Sequence, residues 1–154
     1  MTDVRDLNEL KNNTYSMTIN RLPSVAFNCT EVSIPSITAA HTETNGTNSI
    51  LKNPGTLISY EPVTIEFIVN ESMSNWYNLW QWVESYKTED TTATRDDISV
   101  VITDNHGGAN LSFRYVDAFP TNIDEIVFSS TVGTPSVQKC RVTFEINGLV
   151  VESS

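Results

Sequence analysis

The residue types that carry enzyme chemistry are few in this chain and scattered along it. Its two histidines are His41, in a polar stretch, and His106, in an Asn-His-Gly-Gly turn. A serine hydrolase needs its nucleophile in a sharp turn such as Gly-x-Ser-x-Gly, and the sequence has none. The glycine pair after His106 lacks the lysine and the spacing of a phosphate loop. We therefore predict that the protein is not an enzyme.

Metal binding also has little support, because the two cysteines, Cys29 and Cys140, have no histidine near them in sequence. Without an export signal, two small buried hydrophobes are more common than a disulfide. Acids such as Asp97 and Asp124 stand near strand ends, where two carboxylates could flank a cleft. Solvated surface acids occupy such positions far more often, so we expect no cofactor and no metal.

The charge of the chain limits its partners. Nine basic and 19 acidic residues give 154 residues a net charge of −10. Binding to a nucleic-acid backbone needs a basic surface, so this class of function is not expected. No apolar run reaches transmembrane length, and the N-terminus has no signal-peptide core. We expect a single domain, made in a cytoplasm, that does not span a membrane.

The elements that would position any site are best defined between residues 63 and 86, where the hydrophobic period changes midway. Residues 63–69 alternate apolar and polar side chains, which predicts a strand with one buried face. An amphipathic helix is predicted next, with Ser72 or Ser74 as its N-cap. Its buried stripe is predicted to be Trp76, Leu79, Trp80 and Val83.

Two aromatic side chains of the same helix, Tyr77 and Trp82, fall off the predicted stripe. An aromatic platform for bases or sugars is less common on a core-forming helix than ordinary packing. We therefore expect Tyr77 and Trp82 to contact another subunit.

The rest of the chain indicates a mainly β protein. Alternating segments predict strands near 15–19, 25–34, 98–103, 111–116 and 137–151, a short edge strand at 125–129 and a corner at 118–122. The predicted fold class is α+β, a mainly antiparallel β sandwich or open barrel of six or seven strands, with one helix packed at its side.

Two segments do not fit this core. Residues 1–13 are mostly polar, with Val4, Leu7 and Leu10 at helical spacing, and are predicted to form an N-terminal arm or a short helix. Residues 38–58 have no clear period and are long for a loop, which is typical of a functional segment. A mobile surface loop would explain them, and so would a hairpin that reaches a neighbouring subunit, with Asn45-Gly46 at its tip. Its apolar anchors would be Ile50, Leu51, Leu57 and Ile58.

The order of these elements resembles the tail tube proteins of contractile bacteriophages over about residues 14–150. The most specific match is the turn Phe119-Pro-Thr-Asn-Ile123 before a short strand. The other matching motifs are Tyr15-Ser-Met-Thr-Ile19, a strand ending at Pro35, the strand Val63-Thr-Ile-Glu-Phe-Ile-Val-Asn-Glu71 before a tryptophan-bearing helix, and the closing strand Val142-Thr-Phe-Glu-Ile146.

The resemblance implies two sheets with a helix outside, assembled as six-fold rings that stack into a tube. The function it implies is a structural conduit in the virion tail, assembled in the host cytoplasm. Expected partners are other copies, the tail sheath and baseplate proteins, while DNA passes through without specific binding. Tube initiators and tube terminators share this fold and remain alternatives, as does a standalone β-rich carbohydrate-binding module.

The acidic charge fits such a conduit, because a weakly repulsive wall keeps a DNA polyanion mobile. Acids on polar strand faces and in turns are the candidates to face the lumen, namely Glu66, Asp104, Asp117 and Glu145.

Overall fold

The regular elements include nine β-strands, one 11-residue α-helix and a 3-10 helix at Ser85–Lys87, and this computed structural model describes residues 15–23, 25, 28–90, 94–104, 106, 108–130, 133 and 135–153. The predicted arm over 1–13 lies outside these residues. In chain order the elements are β1 (Tyr15–Ile19), β2 (Cys29–Val32), β3 (Ile37–Asn45), β4 (Ile50–Tyr60), β5 (Val63–Ile68), α1 (Ser74–Glu84), β6 (Asp96–Thr103), β7 (Ala109–Ile123), β8 (Lys139–Glu145) and β9 (Gly148–Ser153).

Seven strands form one antiparallel sheet in the order β1-β6-β7-β8-β5-β2, and β9 pairs with β7. The 15-residue strand β7 belongs to both halves of this sheet. Its first half pairs with β6 and β9, and its second half pairs with β8. The fold class is therefore as predicted, an antiparallel β structure that does not close into a barrel, although the strands number nine rather than six or seven.

The chain passes from one half of the sheet to the other at Asp117, whose backbone is left-handed with φ 53°. The Asp117 N–H donates to Oδ1 of Asp97 at 3.0 Å, and its carbonyl accepts from the Asn147 amide at 2.9 Å. The corner predicted at 118–122 is thus a bend inside β7. The edge strand predicted at 125–129 is wrong, because regular pairing of β7 ends at Ile123.

The core lies between the two halves of the sheet and follows the period-two pattern of the sequence. On β5, Val63, Ile65 and Phe67 are fully buried. Directly opposite on β8 are Phe144, Val142 and Cys140. Because the side chains of successive residues point to opposite faces, one buried face per strand is what this alternation requires.

The helix α1 buries part of the predicted stripe and departs from it at Trp80. Leu79 is fully buried as predicted, and Trp76 is partly buried against the core. Trp80 is 40% exposed, so its place in the buried stripe is wrong, whereas Trp82 is only 2% exposed. The buried positions of α1 are Asn75, Leu79 and Trp82. Hydrophobic period alone placed Asn75 outside, yet its side-chain amide donates to the Ile68 carbonyl at 2.8 Å and its burial is thereby satisfied.

Three contacts explain why Trp82 is the buried tryptophan. Its indole N–H donates to the Thr94 carbonyl at 2.7 Å. Its ring packs edge-on against Phe144 with centroids 5.8 Å apart, and the Arg21 guanidinium lies 5.0 Å above it. A buried indole needs a hydrogen-bond acceptor, and the segment that provides this one follows α1 in the chain.

The start of α1 also differs from the prediction of a serine cap. Met73 occupies the N-cap position with φ 57° and makes no side-chain cap. Asn70 takes this role instead, because its Oδ1 accepts from the Ser74 N–H at 2.9 Å and its amide donates to Ser74 Oγ at 2.8 Å.

The two cysteines are separated by a whole strand. Cys29 of β2 and Cys140 of β8 each stand opposite Phe67, on either side of β5. Two strand spacings are about 9–10 Å, which is beyond the reach of a disulfide. Burial raises the pKa of the Cys140 thiol to about 11 and raises that of the half-buried Cys29. Both sites are therefore packing positions.

The helix assignment makes a direct prediction for the two tryptophans. Trp82→Ala removes a buried ring and leaves a cavity, so it should lower the free energy of unfolding by roughly 3–5 kcal/mol. Trp80→Ala is the matched control and should change it by less than about 1 kcal/mol. Urea unfolding followed by circular dichroism measures both, and equal losses would contradict the assignment.

The buried Tyr115 and the partly buried Tyr15 and Tyr86 predict that the fold loses stability at alkaline pH. Burial is the main cause that raises the pKa of Tyr15, Tyr86 and Tyr115 to about 12. Between pH 10 and about 12 the unfolded chain releases these protons while the folded chain keeps them, so the free energy of unfolding falls as pH rises. Tyr115→Phe loses the bond to the Ser33 carbonyl and should flatten this pH dependence. An unchanged slope would count against the burial argument.

Candidate subunit interfaces

The segment predicted as a long loop is a β-hairpin made by β3 and β4. Its pairing runs from Ile37 opposite Tyr60 to Asn45 opposite Ile50, with an irregularity after Ala39. The tip is closed by the Gly46 N–H, which donates to the Ser49 carbonyl at 2.7 Å. The segment is therefore a hairpin with Asn45 and Gly46 at its tip, while its contact with a neighbouring subunit stays a prediction.

All four predicted anchors lie on this hairpin and are exposed, Leu57 by 75%. By register, Ile50 and Ile58 lie on one face and Leu51 lies on the other, while Leu57 stands in the irregular stretch between Pro54 and Ile58. Every residue of β3, and all of β4 except Gly55 and Tyr60, is exposed. A two-stranded hairpin without a covering layer is marginally stable in water, and this one exposes apolar side chains on both faces.

A second exposed apolar surface lies on the segment between β7 and β8. We name it the 127–137 patch and define it by Val127, Phe128 and Val137, which are 63%, 70% and 63% exposed. The Gln138 amide donates to the Val127 carbonyl at 3.1 Å and holds the two arms of the segment together. Sequence periodicity missed this surface, because the apolar run at 126–128 reads as a short strand.

The outer face of α1 carries a stacked aromatic pair. Tyr77 and Trp80 are 5.8 Å apart with their planes at 27°, and both are substantially exposed. Tyr77 is therefore placed where a partner could reach it. Trp82 was predicted to share this role, but its burial in the subunit makes that prediction wrong.

The candidate lumen acid Glu66 belongs to a charged cluster on the polar face of β5 and β8. The Arg141 guanidinium contacts Glu66 at 2.9 Å and Glu31 of β2 at 3.1 Å. Lys139 lies 3.9 Å from Glu66. The charge of Glu66 is thus largely offset by its neighbours. The sequence indicated that Arg141 lies on the polar face of β8, because it alternates with the buried residues Cys140 and Val142.

The other three acids are not brought together with Glu66 in one site. Glu145 shares the polar face of β8 and stands opposite Phe119. Asp104 directly follows β6, and its Oδ1 accepts from the N–H groups of His106 and Gly108 at 2.8 Å each. Asp117 is the left-handed residue at the bend in β7. Two of the four acids therefore have local structural roles.

No group of three or more His, Cys, Asp and Glu side chains that could hold a metal ion occurs within the described ranges. The described residues also include no helix of the length and apolar character needed to cross a membrane.

Comparison with known proteins identifies the family. Residues 11–149 match the sequence model of the T4-like virus tail tube protein gp19. The tail tube terminator protein of Enterobacteria phage T4 is 25% identical over 143 residues, which cover 86% of this chain and 81% of that protein.

Solved structures share the fold at lower identity. The tube-terminating cap of the anti-feeding prophage superposes with a TM-score of 0.75 at 17% identity, over 99% of this chain and 97% of that one. A chain of the PVC sheath–tube complex in its extended state, from an extracellular contractile injection system, gives a TM-score of 0.71 at 16% identity over 95% of this chain and 93% of that one. The chain is a tail tube or tube terminator protein of a contractile tail, and it belongs to the T4-like virus tail tube protein family.

Proposed function

We propose that this chain is a tube terminator, a ring protein that ends the tail tube. The observation that carries the proposal is its similarity to the T4 tail tube terminator, which extends over 86% of this chain and 81% of that protein. The likeness in fold to a tube-terminating cap is consistent with it. The work of such a protein is mechanical and needs no catalytic site.

Six copies form the ring through the surfaces that the isolated subunit leaves open. Among the described residues, β1 and β2 stand at the ends of the sheet and β9 pairs with β7 alone, so each has an edge without a partner strand there. Free edges invite pairing with another chain, and assembly covers them. The hairpin residues 38–58 supply an inter-subunit contact, since their apolar side chains have no cover within the subunit.

The ring surrounds a channel through which DNA passes without specific binding. Because the chain has a net charge of −10, most of its surface repels the negatively charged DNA backbone. Among the four candidate lumen acids, Glu66 and Glu145 lie on strand faces. Glu66 belongs to the charged cluster around Arg141, and Glu145 does not. The proposal requires the channel wall to stay net negative, because each basic contact with a phosphate would add affinity.

Outside the ring, the stacked pair of Tyr77 and Trp80 is suited to contact the sheath. Large aromatic side chains on an exposed helix face are common anchors of protein interfaces. The baseplate, at the other end of the tail, is a partner of the tube that this ring completes.

A main tube subunit is the second candidate. The observation that favours it is the family model, which covers residues 11–149 and carries the description of the tail tube protein itself. The difference between the candidates is physical. A tube subunit stacks on its own copies without limit, whereas a terminator stops after one ring.

Assembly of the purified chain tests the proposal. We expect native mass spectrometry to find six copies and electron microscopy to find single rings. Added to tubes of the same phage, the rings should bind at tube ends and stop further elongation. Long tubes formed by this chain alone would identify a main tube subunit. A monomer at all concentrations would contradict both candidates.

The channel charge can be tested by Glu145→Lys. This change alters the charge by two units per subunit on the polar face of β8, and it avoids the turn role of Asp104 and the strained backbone of Asp117. Rings should assemble as in the wild type, while DNA release from the particle should slow severalfold. Gln81→Lys on the exposed face of α1 is the control and should not slow it. Equal release rates for all three proteins would refute the proposed position of Glu145.

A further inference from the structure

We propose that the 127–137 patch is the docking surface for the β3–β4 hairpin of a second copy of this chain. The proposal rests on the proposed ring and names the two surfaces by which its copies meet. Both surfaces are exposed and apolar in the subunit. The same chain carries one of each, so every copy can both offer a hairpin and receive one.

The two surfaces lie at opposite ends of the β5–β8 strand pair. The hairpin ends at Tyr60, just before β5 begins at Val63 opposite Phe144. At the far end of the pair, Ile68 stands opposite Lys139, which is separated from the 127–137 patch by Gln138 alone. The Val69 N–H donates to the Gln138 carbonyl at 2.9 Å and ties the patch to this end.

This placement makes the contact head-to-tail. The hairpin of one copy cannot fold back onto its own patch, because the strand pair separates them. A head-to-tail contact between identical copies leaves one hairpin and one patch unfilled at the ends of any short chain. It closes into a ring when the rotation from copy to copy permits, as a terminator requires.

Charge favours these two surfaces over the rest of the molecule. Residues 37–60 hold one acid and one base, Glu43 and Lys52, and residues 126–138 hold no charged side chain. The net charge of −10 therefore comes entirely from the remainder of the chain. Two copies repel each other through most of their surfaces, and the repulsion is smallest where a neutral hairpin meets an uncharged patch.

Shape is also compatible. A cleft of about 880 Å³ opens beside the patch, lined by Val127, Phe128, Pro135 and Gln138 among others. The hairpin is a two-stranded projection. Close to its tip, the consecutive residues Ile50 and Leu51 expose apolar side chains on opposite faces. The lining also includes Ser129, Ser130 and Ser136, so the cleft is of mixed polarity. A projection that enters it removes the apolar surface of both partners from water and places polar groups beside that surface, as in a specific interface.

The test uses two variants that each remove one surface. The hairpin variant is Ile50→Glu with Leu51→Glu, and the patch variant is Val127→Glu with Phe128→Glu. All four positions are exposed in the subunit, so both variants should keep the wild-type urea midpoint. Each should be monomeric by native mass spectrometry under conditions where the wild type forms rings.

Mixing the two variants gives the distinguishing result. The intact hairpin of the patch variant can dock on the intact patch of the hairpin variant, so the mixture should yield heterodimers and nothing larger. Asn78→Glu with Gln81→Glu adds the same charge on α1 and should still form rings. Rings from either surface variant alone, or a mixture that stays monomeric, would overturn the proposal.

These outcomes are separate from those that test the terminator assignment. If the wild type forms long tubes and the mixed variants still form only dimers, the terminator assignment fails and the hairpin–patch contact stands. If the wild type forms single rings and the surface variants do so too, the terminator assignment stands and the hairpin–patch contact fails.

Discussion

The architecture depends on one strand that belongs to both halves of the sheet. β7 can pair with β6 and β9 along its first half and with β8 along its second because Asp117 adopts a left-handed backbone between them. Such a conformation is accessible to aspartate at modest cost and is poorly tolerated by bulky or β-branched residues. The bend brings Tyr115, Ala118 and Phe144 into one buried cluster. Without it, the two halves would be separate sheets with no shared core.

The helix completes this cluster through a single large side chain. Trp82 covers Phe144 and satisfies its own N–H on the Thr94 carbonyl, so α1 is held both by apolar area and by a hydrogen bond. Because Trp82 and Leu79 face inward, Tyr77 and Trp80 are left on the outside. The choice of buried face thus decides which aromatic side chains are available to partners.

A subunit whose core is already complete still exposes the apolar residues of the hairpin and the 127–137 patch. Exposed apolar surfaces of this kind promote aggregation of a monomer, whereas an assembly buries them between its subunits. The acidic charge acts in the opposite direction, since it disfavours association everywhere except at uncharged surfaces. Together they limit which contacts between copies are favourable, as expected of a family whose members work as tubes and rings.

Local sequence determined the strand faces, the position of the hairpin tip and the fold class, because alternation and turn residues act over a few neighbouring positions. The order of elements was also sufficient to indicate the tail tube family. Tertiary structure alone decided that Trp82 is buried rather than Trp80, that Asn75 lies inside, and that Asp117 links the two halves of the sheet. Each of these depends on a hydrogen-bond partner that the hydrophobic period does not specify. The partners are the Thr94 carbonyl for Trp82, the Ile68 carbonyl for Asn75 and the Asp97 carboxylate for Asp117. The sequence also did not predict the 127–137 patch. A short apolar run that is exposed has the same sequence pattern as a buried strand.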